Sequence, residues 1–493
     1  NAIVTVQRVM RLITIHPPAG DIVSAQTDDI EIPAGATKTI SQSVEVLNPK
    51  LWSVDSPNLY WVRTEIIQNG KVVDSTDSRF GIRYIATDPN SGFYLNGVHT
   101  KLNGVCEHSD LGSLGMETYQ AAVDRRIRTL KKYGVNAIRT SHNPVSPEFI
   151  EACDRLGMLV FEEAFDQWLY SKNSDDYHNY FNKAADGKTV VFDKAGNDNT
   201  NNDTSYIEVK RDDLQSNAER DIKAMVERDK NAPCIFAWST GNEIYDARYK
   251  HGENTLDMLT GWIKEIDTTR PVAACPPTWD NYWANNAQQE KHLAKAEMSG
   301  FNYATGQYDG AHSRYPNMVI FGSETVSAYY YRGVYFLEGE GSSDRCNEYP
   351  TYWTFSSATA SLEAHRDKTY TAGEFVWTGH DYLGEPTPRS WPSKSSYFGM
   401  IDTAGFAKDV VYMYKSMWTD TPTVHLLPQK WNFKAGQKVP VYIYTNAKSV
   451  ELFLNGKSLG IKNYDKQTAS PVYMDKRNQR IGLRSRRTQS SRL

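Results

Sequence analysis

The order of hydrophobic and polar positions changes twice along the chain. Up to about residue 85, short runs alternate between apolar and polar side chains, and turn sequences such as Asn69-Gly70 separate them. A period of two is typical of strands that bury one face. Residues 1–87 are therefore predicted to form an immunoglobulin-like β-sandwich. Its expected strands include residues 3–6, 39–44, 59–66 and 71–73.

From residue 88 to residue 422, helical and strand patterns alternate. Residues 117–133 repeat apolar side chains every three or four positions and end at Gly134, as an amphipathic helix with a glycine C-cap does. Short apolar runs such as residues 135–140 and 158–161 indicate buried parallel strands. Repeated strand–helix units favour a (β/α)₈ TIM barrel over residues 88–422, although a doubly wound sheet would give a similar pattern.

After residue 422 the period of two returns. Residues 423–464 are predicted to begin a second β-sandwich, and Asn455-Gly456 is a typical hairpin turn. The pattern disappears near Asp465, so this sandwich is incomplete. Because an incomplete sandwich cannot bury its inner face, residues 465–493 are expected to form a disordered tail.

The net charge of −4 is unevenly distributed. Residues 471–493 carry Lys476 and six arginines against Asp475, a net of +6 that leaves about −10 for the rest of the chain. This balance does not favour nucleic-acid binding by the body of the protein, and the basic end is expected to be solvated. No run of about 18 apolar residues is present, so no membrane-spanning segment is predicted.

The five cysteines are scattered, and no Cys/His pair has the spacing of zinc ligands. Buried thiols are expected, and neither a metal nor another cofactor is predicted. The chain does not begin with Met, has no signal peptide and starts as if inside a strand. We therefore expect it to be a fragment of a longer protein.

The strongest candidate for chemistry is the stretch from residue 234 to residue 246. Residues 234–238 are predicted as a buried strand, and Gly241 lets the backbone turn just before Glu243. Catalytic groups of (β/α)₈ barrels lie at the C-terminal ends of the strands. Glu243 is therefore a candidate catalytic carboxylate, and the alternative is that it caps the next helix.

Glu324 is a second candidate of the same kind. It follows the apolar residues 318–323 and lies 81 residues after Glu243, a separation that two β/α units fill. Two carboxylates about 5–5.5 Å apart define a retaining glycosidase, whereas about 6.5–9.5 Å would indicate a hydrolase without a covalent intermediate. At about 5 Å, two ionised carboxylates repel by about 3 kcal/mol at an effective dielectric constant near 20. One is therefore expected to be a protonated acid and the other an ionised nucleophile.

Several sequence blocks resemble glycoside hydrolase family 2. The sequence WSTGNE at residues 238–243 resembles the acid/base signature of that family, and matching blocks extend from about residue 40 to residue 455. They include residues 138–144, 147–149, 153–157, 161–166, 300–303 and 321–324. The resemblance implies a retaining, exo-acting glycosidase whose barrel follows a jelly-roll and a sandwich. In this chain the jelly-roll and most of the last sandwich are expected to be missing.

The resemblance also implies roles for individual residues. It makes Glu243 the acid/base and Glu324 the nucleophile. Asn242 would hold the 2-hydroxyl of the sugar, Tyr303 would bond to the nucleophile, and Trp377 would stack on the sugar. The expected lining of the terminal-sugar pocket is His108, His142, Asn143 and Asp166.

Structural alternatives remain for several of these residues. His142 and Asn143 could cap the helix that follows them, and Trp377 could belong to the barrel core. For Asp166 and His108, a purely structural role fits the sequence as well as a role in the sugar pocket. Glu163 is expected to pair with an arginine beneath the pocket, Arg139, rather than to reach the sugar.

The identity of the sugar depends on the segment around Trp377. Residues 373–388 and 397–402 resemble the β-galactosidase branch of the family. The β-glucuronidase branch carries an Asn-x-Lys pair in this region, since a buried sugar carboxylate needs a cation. Residues 391–408 contain Lys394 and Lys408 but no such pair. Hydrolysis of terminal β-D-galactose is therefore expected, with β-glucuronidase and β-mannosidase as alternatives.

A non-enzymatic interpretation also stands, because a chain that lacks domains could be an inert carbohydrate-binding fragment. Under either interpretation the expected partner is an oligosaccharide or glycoside, and neither nucleic acid nor a membrane is expected. The oligomeric state is left open. Family members with this layout are commonly exported by gut-type bacteria, so the resemblance implies a periplasmic or secreted location.

Overall fold

The computed structural model describes residues 7–16, 24–41, 43–169, 172, 216–278, 287–335, 357–387, 389–430, 439, 441–470 and 473–474. Its N-terminal part contains four strands: β1 (Gln7–His16), β2 (Ser24–Ile32), β3 (Tyr60–Gln68) and β4 (Lys71–Phe80). They form one antiparallel sheet in the order β2-β1-β3-β4.

The N-terminal strands agree only partly with the alternating pattern. The strands predicted at residues 59–66 and 71–73 are confirmed as β3 and β4. The strand predicted at residues 39–44 is wrong, because the described residues there are irregular, with Ile40 and Val44 half-buried. An irregular segment that rests one side on its neighbours gives the same alternation as a strand. Residues 3–6 lie outside the described residues.

A small three-stranded sheet connects this part to the barrel. Its strands are β5 (Ile85–Asp88), β6 (Gly92–Leu95) and β7 (Val98–His99). Phe93 of β6 is fully buried, and its ring contacts the Phe236 ring edge-on at a centroid distance of 5.2 Å. The turn at Asn96-Gly97 joins β6 to β7, and this sheet covers the end of the barrel opposite the candidate carboxylates.

The central domain is a closed barrel of parallel strands. They are β8 (Leu102–Glu107), β9 (Ala137–Thr140), β10 (Leu159–Glu163), β11 (Ile235–Asn242), β12 (Val272–Cys275), β13 (Met298–Asn302), β14 (Ile320–Val326) and β15 (Gly373–Trp377). Strand β15 pairs with β8 and closes the ring. The predicted (β/α)₈ barrel is confirmed, and the doubly wound alternative is excluded because such a sheet stays open.

Aromatic side chains fill the barrel interior. Phe161, Phe236, Phe321 and Phe375 come from four different strands, and their ring centroids lie 5.4–6.4 Å apart. The guanidinium of Arg139 lies 5.9 Å from the centroid of the Phe161 ring. The polar groups at the C-terminal ends of the strands therefore rest on a packed apolar floor rather than on an open channel.

Helices surround the barrel. In the described chain they are α1 (Gln120–Lys132), α2 (Pro147–Leu156), α3 (Asn217–Asp229), α4 (Lys250–Lys264), α5 (Ala287–Lys295), α6 (Tyr308–Arg314), α7 (Ala358–Asp367) and α8 (Val410–Trp418). Helix α1 buries Val123, Ile127 and Leu130, the face that its sequence predicts. In the part of the chain that the structure describes, no helix combines the length and hydropathy needed to traverse a bilayer.

The N-terminal part is fastened to the barrel beneath β11. The Arg83 guanidinium donates to the backbone oxygens of Pro233 at 2.6 Å and Ile235 at 2.5 Å. The fully buried Trp52 donates its indole N–H to the backbone oxygen of Asp154 at 2.8 Å, and the Asp154 carboxylate accepts from the Cys234 amide at 2.9 Å. These bonds fix the start of the strand that ends at Glu243.

The C-terminal part consists of two small sheets. One contains β16 (Val424–Leu427), β17 (Tyr442–Thr445) and β20 (Tyr473–Met474), and the other contains β18 (Ser449–Leu454) and β19 (Lys457–Asn463). The predicted hairpin at Asn455-Gly456 joins β18 to β19. Structure continues past the expected domain end at Tyr464, because Arg366 donates to the Ala469 backbone oxygen at 2.6 Å and β20 pairs with β17. Residues 475–493 lie outside the described residues.

Candidate active site

Glu243 projects from the C-terminal end of β11. The register shifts between Ser239 and Asn242, and the Glu243 amide donates to the backbone oxygen of Cys275 at 2.6 Å. Glu243 has a backbone φ of +43°, which turns the chain away from the strand direction. Its side chain accepts from Asn302 Nδ2 at 3.3 Å. The alternative that Glu243 caps the next helix is wrong, because the short helix that follows starts from Ile244 without a side-chain cap.

Glu324 lies within β14 and is buried. Its Oε1 accepts from Arg139 at 3.0 Å, and its Oε2 accepts the expected hydrogen bond from the Tyr303 hydroxyl at 2.8 Å. Burial raises the pKa of Glu324, whereas Arg139 and His142 act in the opposite direction. The charge of Glu243 also raises the pKa of Glu324, and the net shift is upward. The charge of one candidate carboxylate therefore acts on the pKa of the other, Glu324.

Arg139 is a fully buried hub that bonds to the carboxylates of Glu324 and Glu163. It donates five hydrogen bonds: two to Glu163 and one each to Glu324, Asn242 and the Ser323 backbone oxygen. The Arg139–Glu163 pair that the sequence predicts is present, with a shortest distance of 2.6 Å. Burial alone would raise the pKa of Glu163, but Arg139 and the hydrogen bond from His142 outweigh it and lower the pKa.

Asn242 and Asp166 meet at one side of the pocket. Asn242 Oδ1 accepts from Arg139 at 3.0 Å and from Asn302 at 3.3 Å, which orients the amide so that Nδ2 donates to Asp166 at 3.3 Å. Asp166 is 54% exposed and pairs with Lys172 at 2.7 Å. Burial among pocket atoms opposes ionisation of Asp166, but Lys172 and His142 outweigh it and lower its pKa.

An aromatic wall forms the opposite side. The His142 ring stacks on Trp377 at 5.3 Å with an interplanar angle of 2°, and His142 Nδ1 lies 2.7 Å from Glu163. The His108 ring meets Trp377 edge-on at 5.3 Å and stacks on Tyr382 at 3.9 Å. Trp377 is only 6% exposed, so it belongs to the core as well as to the wall.

His108 is electrically neutral in this wall. Burial, together with the neighbouring His142, lowers the pKa of His108 to about 3. Its Nε2 is buried without a hydrogen-bond partner among the described residues. A buried ring nitrogen without a partner is unfavourable, so a ligand hydroxyl at this position would satisfy it.

Asn143 is exposed at the rim, where it donates to Ser109 Oγ at 3.4 Å and to the Pro144 backbone oxygen at 2.9 Å. The alternative that His142 and Asn143 cap the following helix is wrong. Ser146 is the N-cap of α2 and accepts from the Phe149 amide.

Three site residues had no assigned role from the sequence. Asn302 bonds to both Asn242 and Glu243, and it lies inside the block at residues 300–303 that resembles the family. Tyr382 and Glu385 lie inside the block at residues 373–388, and the Tyr382 hydroxyl donates to Glu385. The family resemblance pointed to these segments, but only the side-chain contacts in the structure show that the three residues belong to the site.

Neither lysine considered for a sugar carboxylate is free in the site. Lys408 is only 1% exposed and pairs with Asp381 at 2.7 Å. Lys394 is exposed and lies over the Trp391 ring at 5.2 Å. Among the described residues, no group of His, Cys, Asp and Glu has an arrangement that would hold a metal ion.

Family models match two parts of the chain. The model described as the TIM barrel domain of glycosyl hydrolases family 2 matches residues 89–293, and a second model, described as glycosyl hydrolases family 2, matches residues 6–83. The chain belongs to glycosyl hydrolase family 2, and the predicted fold class and family are confirmed. A domain of unknown function matches residues 436–479.

Curated relatives carry two different activities in their names. The chain is 34% identical to the β-galactosidase BoGH2A of Bacteroides ovatus, over 88% of this chain and 52% of that protein. It is 33% identical to a putative β-glucuronidase of Formosa agariphila, over 85% of this chain and 39% of that protein. The chain thus spans about half or less of the length of these relatives.

Two solved structures with the same fold come from Bacteroides species. A glycosyl hydrolase family 2 member from Bacteroides cellulosilyticus superposes with a TM-score of 0.75 at 28% identity, covering 96% of this chain and 57% of that one. A β-glycosidase from Bacteroides vulgatus gives a TM-score of 0.74 at 29% identity, covering 95% of this chain and 57% of that one.

Proposed function

We propose that the protein is a retaining exo-β-glycosidase in which Glu324 is the nucleophile and Glu243 is the acid/base. One observation carries the proposal. Asn302 and Tyr303 are adjacent at the end of β13, and they bond to Glu243 and Glu324 respectively. Two carboxylates from β11 and β14 are thus held by neighbouring residues of β13, and a double-displacement mechanism uses two carboxylates that lie close together.

The surroundings of Glu324 suit a nucleophile. Arg139 and Tyr303 each donate to a different oxygen, which stabilises the ionised form that attacks the anomeric carbon. As the bond from Glu324 to carbon forms, the bond from carbon to the leaving oxygen breaks, and Glu243 gives that oxygen its proton. Glu243 then takes a proton from water, which attacks the same carbon and releases Glu324.

The remaining site residues suit recognition of a terminal sugar. Asn242 is oriented by Arg139 and Asn302 to offer its Nδ2 toward the 2-hydroxyl. His108, His142 and Trp377 form the aromatic wall on which the sugar would rest, and Asp166 and Asn143 lie at the rim as hydroxyl partners. These assignments rest on the positions of the side chains around the two carboxylates.

Galactose is the proposed sugar. The support is the resemblance of residues 373–388 and 397–402 to the β-galactosidase branch, together with the engagement of Lys408 by Asp381. The inert-fragment alternative is less favoured, because both carboxylates and their hydrogen-bond partners are held within this chain.

Turnover of nitrophenyl β-galactoside, β-glucuronide and β-mannoside by the purified chain tests the proposal. We expect the galactoside to be hydrolysed with retention of anomeric configuration, read by nuclear magnetic resonance. Glu243→Ala should lose turnover by about 10²–10⁴-fold and regain it with azide on a substrate with an activated leaving group. A folded chain that hydrolyses none of the three, or a Glu243→Ala variant that azide does not rescue, would contradict the proposal.

A further inference from the structure

A third carboxylate belongs to the pocket. Glu385 lies on the loop after β15, and its Oε2 accepts from the Tyr382 hydroxyl. The Tyr382 ring stacks on His108 at 3.9 Å and meets Trp377 edge-on at 5.7 Å. Glu385 is thereby attached to the aromatic wall of the candidate active site.

The pKa of Glu385 responds to charged groups of the candidate active site. Burial raises the pKa of Glu385, the bond from Tyr382 and the proximity of His142 oppose this, and the charge of Glu243 adds to it. The Glu385 side chain is nevertheless exposed to solvent. Glu385 therefore lies at the solvent-facing edge of the aromatic wall, where the Tyr382 hydroxyl holds its carboxylate.

The backbone at Glu385 is strained. Its φ is +32°, and the preceding Gly384 has a φ of +97°. A residue with a Cβ at positive φ is unfavourable and persists where its surroundings fix it. The Gly384 amide donates to the Lys394 backbone oxygen at 2.8 Å, and Leu383 bridges to Ser395. The loop therefore holds the Glu385 side chain in one place.

Among the residues that the structure describes, the cations bonded to the site are already committed to protein acceptors. Arg139 serves Glu163, Glu324 and Asn242, as described above. Lys172 pairs with Asp166 at 2.7 Å. Arg126 pairs with Glu107 at 3.1 Å and donates to the His108 backbone oxygen at 3.0 Å. A carboxylate on the substrate would meet negative groups in this pocket.

We propose that Glu385 is a specificity-determining residue that selects a neutral terminal sugar. Its carboxylate accepts a hydrogen bond from a hydroxyl of the sugar and repels a sugar that carries a carboxylate of its own. The inference rests on the proposed glycosidase function and narrows its substrate class to neutral hexosides. Two like charges about 6 Å apart at an effective dielectric constant near 20 discriminate by about a hundredfold.

Glu385→Gln tests the inference, because it removes the charge and keeps the shape. The measurement is kcat/KM for nitrophenyl β-galactoside and nitrophenyl β-glucuronide. We expect the ratio of kcat/KM for the glucuronide to kcat/KM for the galactoside to rise by at least about tenfold in the variant, because the charge that repels the glucuronide carboxylate is gone. Glu151→Gln is the matched control, since it removes a 48% exposed carboxylate on α2 that pairs with Arg79. It should leave both values unchanged.

A binding measurement separates this inference from the proposed function. Calorimetry compares galactonolactone with saccharolactone, which carries a carboxylate, on the wild-type chain and on Glu385→Gln. If the wild-type chain hydrolyses no glycoside, the proposed function fails, but a tenfold gain in saccharolactone affinity for the variant alone still supports the role of Glu385. An unchanged preference in both turnover and binding, or a wild-type chain that prefers the glucuronide, overturns it.

Discussion

Two regions of the barrel each bury a glutamate, but the hydrogen-bond partners of the two carboxylates differ. In the candidate pocket, Glu324 bonds to Arg139 and Tyr303. On the outer face of β15, Glu374 is only 1% exposed, and its Oε2 accepts from the hydroxyls of Thr325 at 2.8 Å and Ser361 at 2.7 Å. Glu374 Oε1 has no hydrogen-bond partner in the described structure.

The second region also contains a cavity of about 250 Å³. It lies at the starts of β8 and β15, between the barrel and helices α7 and α8, and Lys101, His365 and Glu374 line it. Lys101 donates to the backbone oxygens of Lys368 and Thr371 rather than to a carboxylate. Empty volume therefore does not mark the chemistry of this protein. What distinguishes the candidate active site is that one cation, Arg139, bonds to two carboxylates, Glu163 and Glu324.

Replacing each glutamate by glutamine should give the largest difference in kcat between the two regions. Glu324→Gln should lower kcat by about 10⁴-fold or more, because the nucleophile is removed. Glu374→Gln should keep kcat within a fewfold, since its hydroxyl partners can bond to an amide. Turnover of the galactoside, with circular dichroism to confirm folding, measures both. Equal losses in the two variants would show that the regions do not differ in function.

Arg139→Met should have the next largest effect. Glu163 and Glu324 would remain buried without their shared cation, which is expected to lower the free energy of unfolding by about 3–5 kcal/mol. Urea denaturation measures the change. Arg63→Met is the control, because Arg63 pairs with Asp77 on the exposed face of the N-terminal sheet and should matter little. A stable Arg139→Met variant would argue against the hub.

Tyr303→Phe should shift the acid limb of the pH–activity profile. The hydrogen bond from Tyr303 lowers the pKa of Glu324, which is already raised by burial. Its loss raises that pKa further, so the nucleophile ionises at higher pH and the acid limb of kcat/KM moves upward by about one pH unit. The control is Tyr60→Phe. The Tyr60 hydroxyl accepts from the Lys50 amide, and its removal should not move the acid limb. A downward shift would contradict this account.

The smallest effect is expected at Lys101. Burial lowers its pKa from 10.5 to about 8. Between these values the unfolded chain binds more protons than the folded one, so the free energy of unfolding rises with pH, by about 1 kcal/mol after solvent screening. Lys101→Met should remove this rise without changing turnover. Denaturation below and within this pH window measures the slope, and an unchanged slope would rule out Lys101 as its source.

Much of this architecture was predictable because it depends on local pattern. The buried strand before Glu243 and the amphipathic face of α1 follow from apolar spacing alone. Their positions after predicted strands made Glu243 and Glu324 a candidate pair, and the family resemblance then implied which is the acid/base and which is the nucleophile. Their strands meet because parallel strands of a barrel end at one face, which sequence order is enough to foresee.

Other features depend on geometry that the sequence does not carry. The five bonds of Arg139 require four strands to close at one register. Glu385 became visible only through the direction of an irregular loop that backbone hydrogen bonds hold. The prediction of a strand at residues 39–44 was wrong for a related reason. Apolar and polar residues alternate there, but the half-buried side chains belong to a segment that does not pair with a neighbouring strand.

Arg83 has a practical implication for anyone who wishes to shorten the protein. It reaches from the end of the N-terminal region to the carbonyls of Pro233 and Ile235, which open the strand that delivers Glu243. A barrel cut loose after residue 87 would take the Arg83 donor away from the Pro233 carbonyl and leave the Ile235 carbonyl with Arg270 alone, so the start of this strand would be held less firmly. A minimal catalyst built from this chain should therefore retain its first domain as part of the working scaffold.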